Sequence, residues 1–258
     1  MRSNLNGNVV LITAAAMGLG KAVALHLAKC GATIWVTDRD APALESLLQE
    51  ARDQQLDIRG HAFDLLDQER LAALVLQVRK DCGKIDVLIN NAGGSLHTPF
   101  RFLEQTDDDW SRVFDLNVFL AVTLTRLVLP IMVERGYGRI INMGSKAGRY
   151  GSLFAGANYV ASKGAIHALT LQLAQEFGPK GITCNALCPG AVMTPRVKSL
   201  LAERQSPEQR EKVLNEIPVR RHGEVEDIAT AIAFLASKES GFITGVLLDV
   251  NGGQAMST

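Results

Sequence analysis

Tyr159 and Lys163 stand four residues apart in the segment YVASK, a spacing that puts both side chains on one face of a helix. A tyrosine that titrates near 10 is a poor base at neutral pH. A lysine ammonium ~4 Å away is worth roughly 4 kcal/mol at an effective dielectric of ~20, or about 3 pKa units before solvent losses. Such a pair can take and return a proton near neutrality. The plain alternative is a solvated or packed pair without chemical meaning. A second feature is the turn Thr13-Ala-Ala-Ala-Met-Gly18-Leu19-Gly20. Glycines at a strand-to-helix turn let backbone approach a pyrophosphate and let the helix pack close to the strand, while the helix N-terminus offers free N–H groups. Gly18 and Gly20 fit these two roles, although such a turn is also compatible with a tight connection that binds nothing. Asp38 comes 18 residues after Gly20. A carboxylate there accepts hydrogen bonds from adenosine ribose hydroxyls and repels a 2′-phosphate, whereas the guanidinium of Arg39 could pair with one. Asp40, just before Ala41-Pro42, is better placed than Asp38 to cap a helix.

The elements that must position these groups follow from composition and pattern. The 258 residues are 47 % hydrophobic and 21 % charged, the balance of a globular protein with a sizeable core. Formal net charge is zero, with no basic stripe, so neither nucleic acid nor an anionic membrane is expected as a partner. The apolar N-terminal run flows into the glycine turn and reads as a buried strand, not a signal peptide. The apolar stretch 113–133 contains Asp115, Asn117 and Arg126 and reads as too polar to span a bilayer. A cytoplasmic or equivalent soluble location is therefore expected. Cys30, Cys82, Cys184 and Cys188 show no CxxC and no neighbouring His pair, and read as buried free thiols. The five His residues lack ligand spacing, so no metal site is expected.

Short β-branched runs at 8–12, 33–37, 60–63, 87–90, 139–143, 182–187 and 246–250 read as about seven strands, apolar enough to be covered on both faces. Helical spacing of apolar residues marks 21–29, 43–54, 68–80, 107–135, 157–177 and 226–236. Asp40 and Asp67 are start signals, and Gly178-Pro179 ends the segment that closes at Phe177. Repeated βα units imply an α/β fold, a doubly wound parallel sheet in a single domain over residues 1–258. The more polar stretch 194–215 is expected to form a helical flap over the site.

The chain resembles the short-chain dehydrogenase/reductase family from about Gly7 to Gly253. The family's TGxxxGxG motif matches Thr13, Gly18 and Gly20, with Leu19 between them; its first glycine is Ala14 here, tolerable if φ is negative. Asp64, followed by Leu65, matches an adenine-contacting aspartate. Asn91, Ala92 and Gly93 lie in the NNAG motif, and Pro189, Gly190, Val192 and Thr194 in the PGxxxT segment that holds the nicotinamide carboxamide. The resemblance implies a Rossmann-like sheet and catalysis by Asn117, Ser145, Tyr159 and Lys163. Tyr159 would be the acid/base, Ser145 would hydrogen-bond the substrate oxygen, Asn117 would hold a water linked to Lys163, and Lys163 would also bind the nicotinamide ribose. Ser145 precedes Tyr159 by 14 residues, about one more than is usual in the family, which places an insertion in the loop 146–156.

The Asp38 carboxylate favours NAD as cofactor, with NADP the less favoured choice, and the resemblance implies a small alcohol or carbonyl as substrate. Its closest general look is that of 3-oxoacyl-carrier-protein reductases, yet Asp38 argues against the NADPH those enzymes usually prefer. Three readings compete: an NAD-linked dehydrogenase, an NADP-linked carbonyl or 3-oxoacyl reductase, and a non-catalytic dinucleotide-binding scaffold or sensor. Substrate recognition is expected from the loops 94–100 and 146–154 and the flap, with His97, Arg149, Tyr150, Phe154 and Arg196 among the side chains there. A homo-oligomer, a tetramer by resemblance, would form through the helices holding Asn117 and Tyr159 and the C-terminal strand.

Overall fold

The computed structural model describes residues 3–152, 155–204 and 206–256. Strands and helices alternate as β1 (Val9–Thr13), α1 (Gly18–Lys29), β2 (Thr33–Asp38), α2 (Ala41–Asp53), β3 (Ile58–Ala62), α3 (Gln68–Cys82) and β4 (Val87–Asn90). There follow α4 (Asp107–Phe114), a π-helical turn at Asp115–Phe119, α5 (Leu120–Arg135), β5 (Gly138–Met143), α6 (Ala147–Tyr150), α7 (Ala157–Phe177) and β6 (Ile182–Pro189). The last elements are α8 (Pro195–Arg204), α9 (Pro207–Glu216), α10 (Val225–Ala236) and β7 (Leu247–Val250). All seven strands are parallel, in the order β3-β2-β1-β4-β5-β6-β7.

The pleat explains why the strands are apolar throughout. In β1, Val10 and Ile12 face one core while Val9 and Leu11 face another; β4 repeats this with Val87 and Ile89 against Leu88. The first core is closed by Val23 and Leu27 of α1, Leu47 of α2 and Ile232 of α10. The second is closed by Leu74 of α3, Leu124 and Val128 of α5 and Leu173 of α7. A sheet covered on both faces can spare almost no polar side chain in its centre. The caps are local: Asp40 accepts from Ala43 N and Asp67 from Arg70 N, each at 3.0 Å.

Several bounds differ from the sequence reading. β3 covers Ile58–Ala62 instead of 60–63, because pairing with Ile34–Asp38 sets its register. β6 runs on to Pro189, where it pairs with Val250. Gly18, Leu19 and Gly20 form the first turn of α1, which starts three residues before Lys21. Only Cys184 and Cys188 are buried; Cys30 and Cys82, at helix ends, are partly exposed. The helical run Asp107–Arg135 is long and apolar enough to cross a membrane, contrary to the expectation from its polar residues, yet 56 % of its most apolar window lies inside the protein. Its apolarity serves the core under α3 and α7.

Leu88 is fully buried on the central strand β4, between Leu11 and Ile140 of its neighbours. Leu88→Ala is expected to cost roughly 3 kcal/mol and lower the melting temperature by about 10 °C. Calorimetry checks this, and a shift below about 2 °C would contradict the packing described.

Candidate active site

In strand order β1 stands beside β4, with β2 and β3 on one side and β5 to β7 on the other, so the connections turn in opposite directions from this point. A crevice opens there at the carboxyl ends of the strands. Thr13, the last residue of β1, accepts at Oγ1 from the N–H groups of Asn91 (3.1 Å) and Ala92 (2.9 Å). Asn91 returns two bonds through Nδ2, to the carbonyls of Thr13 and Ala14, both at 2.9 Å. Helix α1 begins at this seam with Met17 as N-cap and no side-chain cap, which leaves its first N–H groups facing the crevice mouth without a local side-chain acceptor. A Cβ on Gly20 would lie 2.3 Å from the Ala14 carbonyl oxygen, and Gly18 has φ +57°. Uncapped donors with a backbone cradle that admits no Cβ fit the diphosphate of a dinucleotide.

Ala14 departs from the sequence expectation. Its φ is +52°, in the left-handed region, where a Cβ meets its own backbone. The two Asn91 bonds hold the turn in that conformation.

Asp38 ends β2 and is buried; Oδ2 accepts from Ala16 N (2.9 Å) and Oδ1 from Asp40 N (3.1 Å). The carboxylate is thereby fixed against the glycine turn, and each oxygen keeps a second lone pair for a ligand. Arg39 beside it is exposed. Beyond β3, Asp64 is exposed and Leu65 buried. Pro189 closes β6, and a Cβ on Gly190 would lie 3.0 Å from Asn251. Val192 is buried, and Thr194 caps α8 by accepting from Val197 N at 3.3 Å. Thr194 also faces the glycine turn, its Cγ2 lying 4.0 Å from where a Gly18 Cβ would stand.

The residues expected to handle the proton meet between β4, β5 and α7. Lys163 is 4 % exposed; its Nζ donates to the Met143 carbonyl at 2.6 Å and lies 5.8 Å from the Tyr159 ring centre. Burial lowers its pKa to about 8, so at neutral pH it remains mostly an ammonium. The π-helical turn inserts Asn117 into the same space. Its Oδ1 accepts from Gly94 N and its Nδ2 donates to Ser162 Oγ, both at 2.8 Å, and Ser162 Oγ donates to the Tyr159 carbonyl. Asn117 is thus tied at both ends of its amide to protein groups, with one hydrogen and one lone pair left for the expected water. Gly93 has φ +153°, and a Cβ there would come within 2.9 Å of Asn117 Oδ1 and 3.2 Å of Lys163 Nζ. Ser145, two residues past β5, is buried, and its Oγ accepts from Ala147 N at 3.1 Å.

This arrangement has close counterparts. The family model described as enoyl-(acyl carrier protein) reductase matches residues 13–255. The 3-oxoacyl-[acyl-carrier-protein] reductase of Thermotoga maritima is 35 % identical, covering 96 % of this chain and 98 % of its own length. The 2,3-dihydroxy-2,3-dihydro-p-cumate dehydrogenase of Pseudomonas putida is 36 % identical, with 98 % and 96 % covered. The structure of a proposed gluconate dehydrogenase from Agrobacterium tumefaciens superposes with a TM-score of 0.91 at 30 % identity, covering 99 % of this chain and 98 % of that one. The chain belongs to the short-chain dehydrogenase/reductase family. It is an oxidoreductase of the NAD(P)-dependent kind that this family comprises.

Two residues of this short-chain dehydrogenase/reductase site escaped the sequence reading. Ser162 lies inside YVASK and was legible only as spacing, yet it joins Asn117 to the Tyr159 backbone. Asn158, fully buried, bonds Thr98, Gln105 and the Asp109 carbonyl, which fastens the loop after β4 to the start of α7. Its only signal was adjacency to Tyr159. Among the expected substrate contacts, Arg149 is taken: it pairs with Asp249 at 2.7 Å and donates to the Leu247 carbonyl, and Tyr150 OH donates to the same carboxylate. His97 is exposed with φ +58°. Phe154 and the Arg196 side chain lie outside the described residues.

Ala14→Gly, which restores the family's glycine, should remove left-handed strain at a smaller entropic cost, a net gain of about 1 kcal/mol or roughly 3 °C in melting temperature. A lower melting temperature than that of the parent protein would refute the strain.

Proposed function

We propose that the protein is an NAD-linked dehydrogenase of a secondary alcohol, run in either direction, with Tyr159 as the proton-exchanging group. The observation that carries this is the single bonded set Gly94–Asn117–Ser162–Tyr159, with the Lys163 ammonium over the tyrosine ring. When bound, the nicotinamide dinucleotide gives or accepts the hydride. Tyr159 takes the hydroxyl proton of the alcohol, and the nearby ammonium of Lys163 favours the phenolate. Ser145 orients the substrate oxygen. The backbone of Thr13, Gly18, Leu19 and Gly20, together with Asn91, Ala92 and Gly93, would hold the cofactor, with Asp64 and Leu65 at the adenine end. Lys163 would hold the nicotinamide ribose, and Pro189, Gly190, Val192 and Thr194 its carboxamide end.

The preference for NAD over NADP is supported by the fixed Asp38 carboxylate, which would meet a 2′-phosphate as like charge. The second reading, an NADP-linked 3-oxoacyl reductase, is favoured by relatives named 3-oxoacyl-[acyl-carrier-protein] reductase and acetoacetyl-CoA reductase, and by exposed Arg39. The segment 194–215 is read as a cover, supported by Thr194 at its start, whose Cγ2 stands 4.0 Å from the place of a Gly18 Cβ. A cytoplasmic location and a homotetramer complete the reading; exposed Phe119, Leu171 and Phe242 support the association of copies.

Turnover is to be followed by nicotinamide absorbance with NAD and NADP against polyols, sugars, hydroxy acids and 3-hydroxyacyl thioesters. Tyr159→Phe should cut kcat by about 10³ while cofactor affinity stays within about two-fold; retained turnover removes the assigned proton donor. Asp38→Ala should narrow the NAD-to-NADP ratio of kcat/KM by about ten-fold or more. An unchanged ratio would move that discrimination elsewhere.

A further inference from the structure

His167 lies one helical turn beyond Lys163 on α7, buried behind the carboxyl end of β5. Its Nε2 accepts from Ser145 N–H at 3.4 Å, and Cys188 Sγ lies 3.3 Å from the same nitrogen. The Gly148 backbone lies near the ring and raises its pKa. Because Nε2 is an acceptor, the ring proton sits on Nδ1. The imidazole therefore packs against the turn 145–148 and holds its first residue. That turn is closed on itself by Gly148 N–H to the Ser145 carbonyl and by Ala147 N–H to Ser145 Oγ, both at 3.1 Å. The approach is close: a Cβ on Gly144 would lie 2.5 Å from Nε2.

The ring's surroundings keep it in this role. Burial foremost, then the cations Lys163 and Arg149, push the pKa of His167 down to about 4, while the Gly148 backbone and Asp249 act the other way. Cys188 is pushed up to about 11 by burial, so a neutral thiol faces a neutral ring. At neutral pH, Nε2 thus keeps its lone pair toward Ser145.

We propose that His167 is a positioning residue for Ser145, its imidazole clamping the turn so that the Ser145 hydroxyl is aimed at the substrate oxygen. An apolar side chain of similar size fills the space but takes the Nε2 acceptor away from Ser145 N–H. The proposal rests on the reading of Ser145 as the partner of that oxygen, and the test separates the two.

Steady-state kinetics of His167→Leu and His167→Gln are measured in the parent protein and in Ser145→Ala, with the best alcohol or ketone of the substrate panel. His167→Leu should lower kcat about 10-fold while KM for the cofactor changes by less than about two-fold. His167→Gln, whose Oε1 can accept from Ser145 N–H, should recover most of that loss. In the Ser145→Ala background the His167→Leu loss should shrink below about two-fold, because the group through which the ring acts is gone. Equal losses in both backgrounds, or no loss in the parent, overturn the clamp. If His167→Leu fails to fold, His167→Asn takes its place, since its shorter amide stays polar but falls short of Ser145 N–H; parent-like turnover of His167→Asn is then the overturning result. Ser145→Ala by itself separates the two: a fully active Ser145→Ala defeats the reading of Ser145, whereas an impaired Ser145→Ala with parent-like His167→Leu defeats the clamp alone.

Discussion

Burying the ammonium of Lys163 is the demand to which the rest of the site responds. Moving a cation out of water costs several kcal/mol unless hydrogen bonds replace the lost hydration. Here the Met143 carbonyl supplies a 2.6 Å bond, and the residual penalty appears as a pKa lowered to about 8. Gly93 has to lack a side chain, because a Cβ would press on Lys163 Nζ and Asn117 Oδ1 together. Polar side chains cluster where the sheet would otherwise be apolar, since each needs a partner that water cannot provide.

The π-helical turn solves a related problem. A regular helix from Asp107 to Arg135 would carry Asn117 on whatever face the 3.6-residue period assigned it. One wider turn at Asp115–Phe119 shifts the phase between α4 and α5. Asn117 reaches Gly94 and Ser162, while Leu124 and Val128 of α5 still pack in the core.

The glycine-turn end and the Tyr159–Lys163 end of the site are braced separately. At the former, Asn91 and Thr13 tie β4 to β1 and hold Ala14 in a conformation that its side chain disfavours. At the latter, Asn158 ties the loop after β4 to α7, and Arg149 is committed to Asp249 on β7. A rigid frame of this kind suits hydride transfer, where small displacements of reacting atoms are costly.

The alternation of apolar strands and helices, the Asp40 and Asp67 caps, and the Tyr159–Lys163 pair were all legible along the chain, because each depends on residues within about one or two helical turns of one another. The order of family motifs likewise gave the fold and the class of reaction. Other properties depended on partners far away in sequence. The extent of β3 came from its pairing with β2, and Arg149 was claimed by Asp249, 100 residues later. The sign of φ at Ala14 came from bonds offered by Asn91. The Tyr159–Lys163 pair could be picked out from its spacing and the motifs around it. The carbonyl that receives the lysine, the serine that joins Asn117 to Tyr159 and the histidine behind Ser145 could not, because hydrogen bonds a few ångströms long select them only after the sheet and helices have packed.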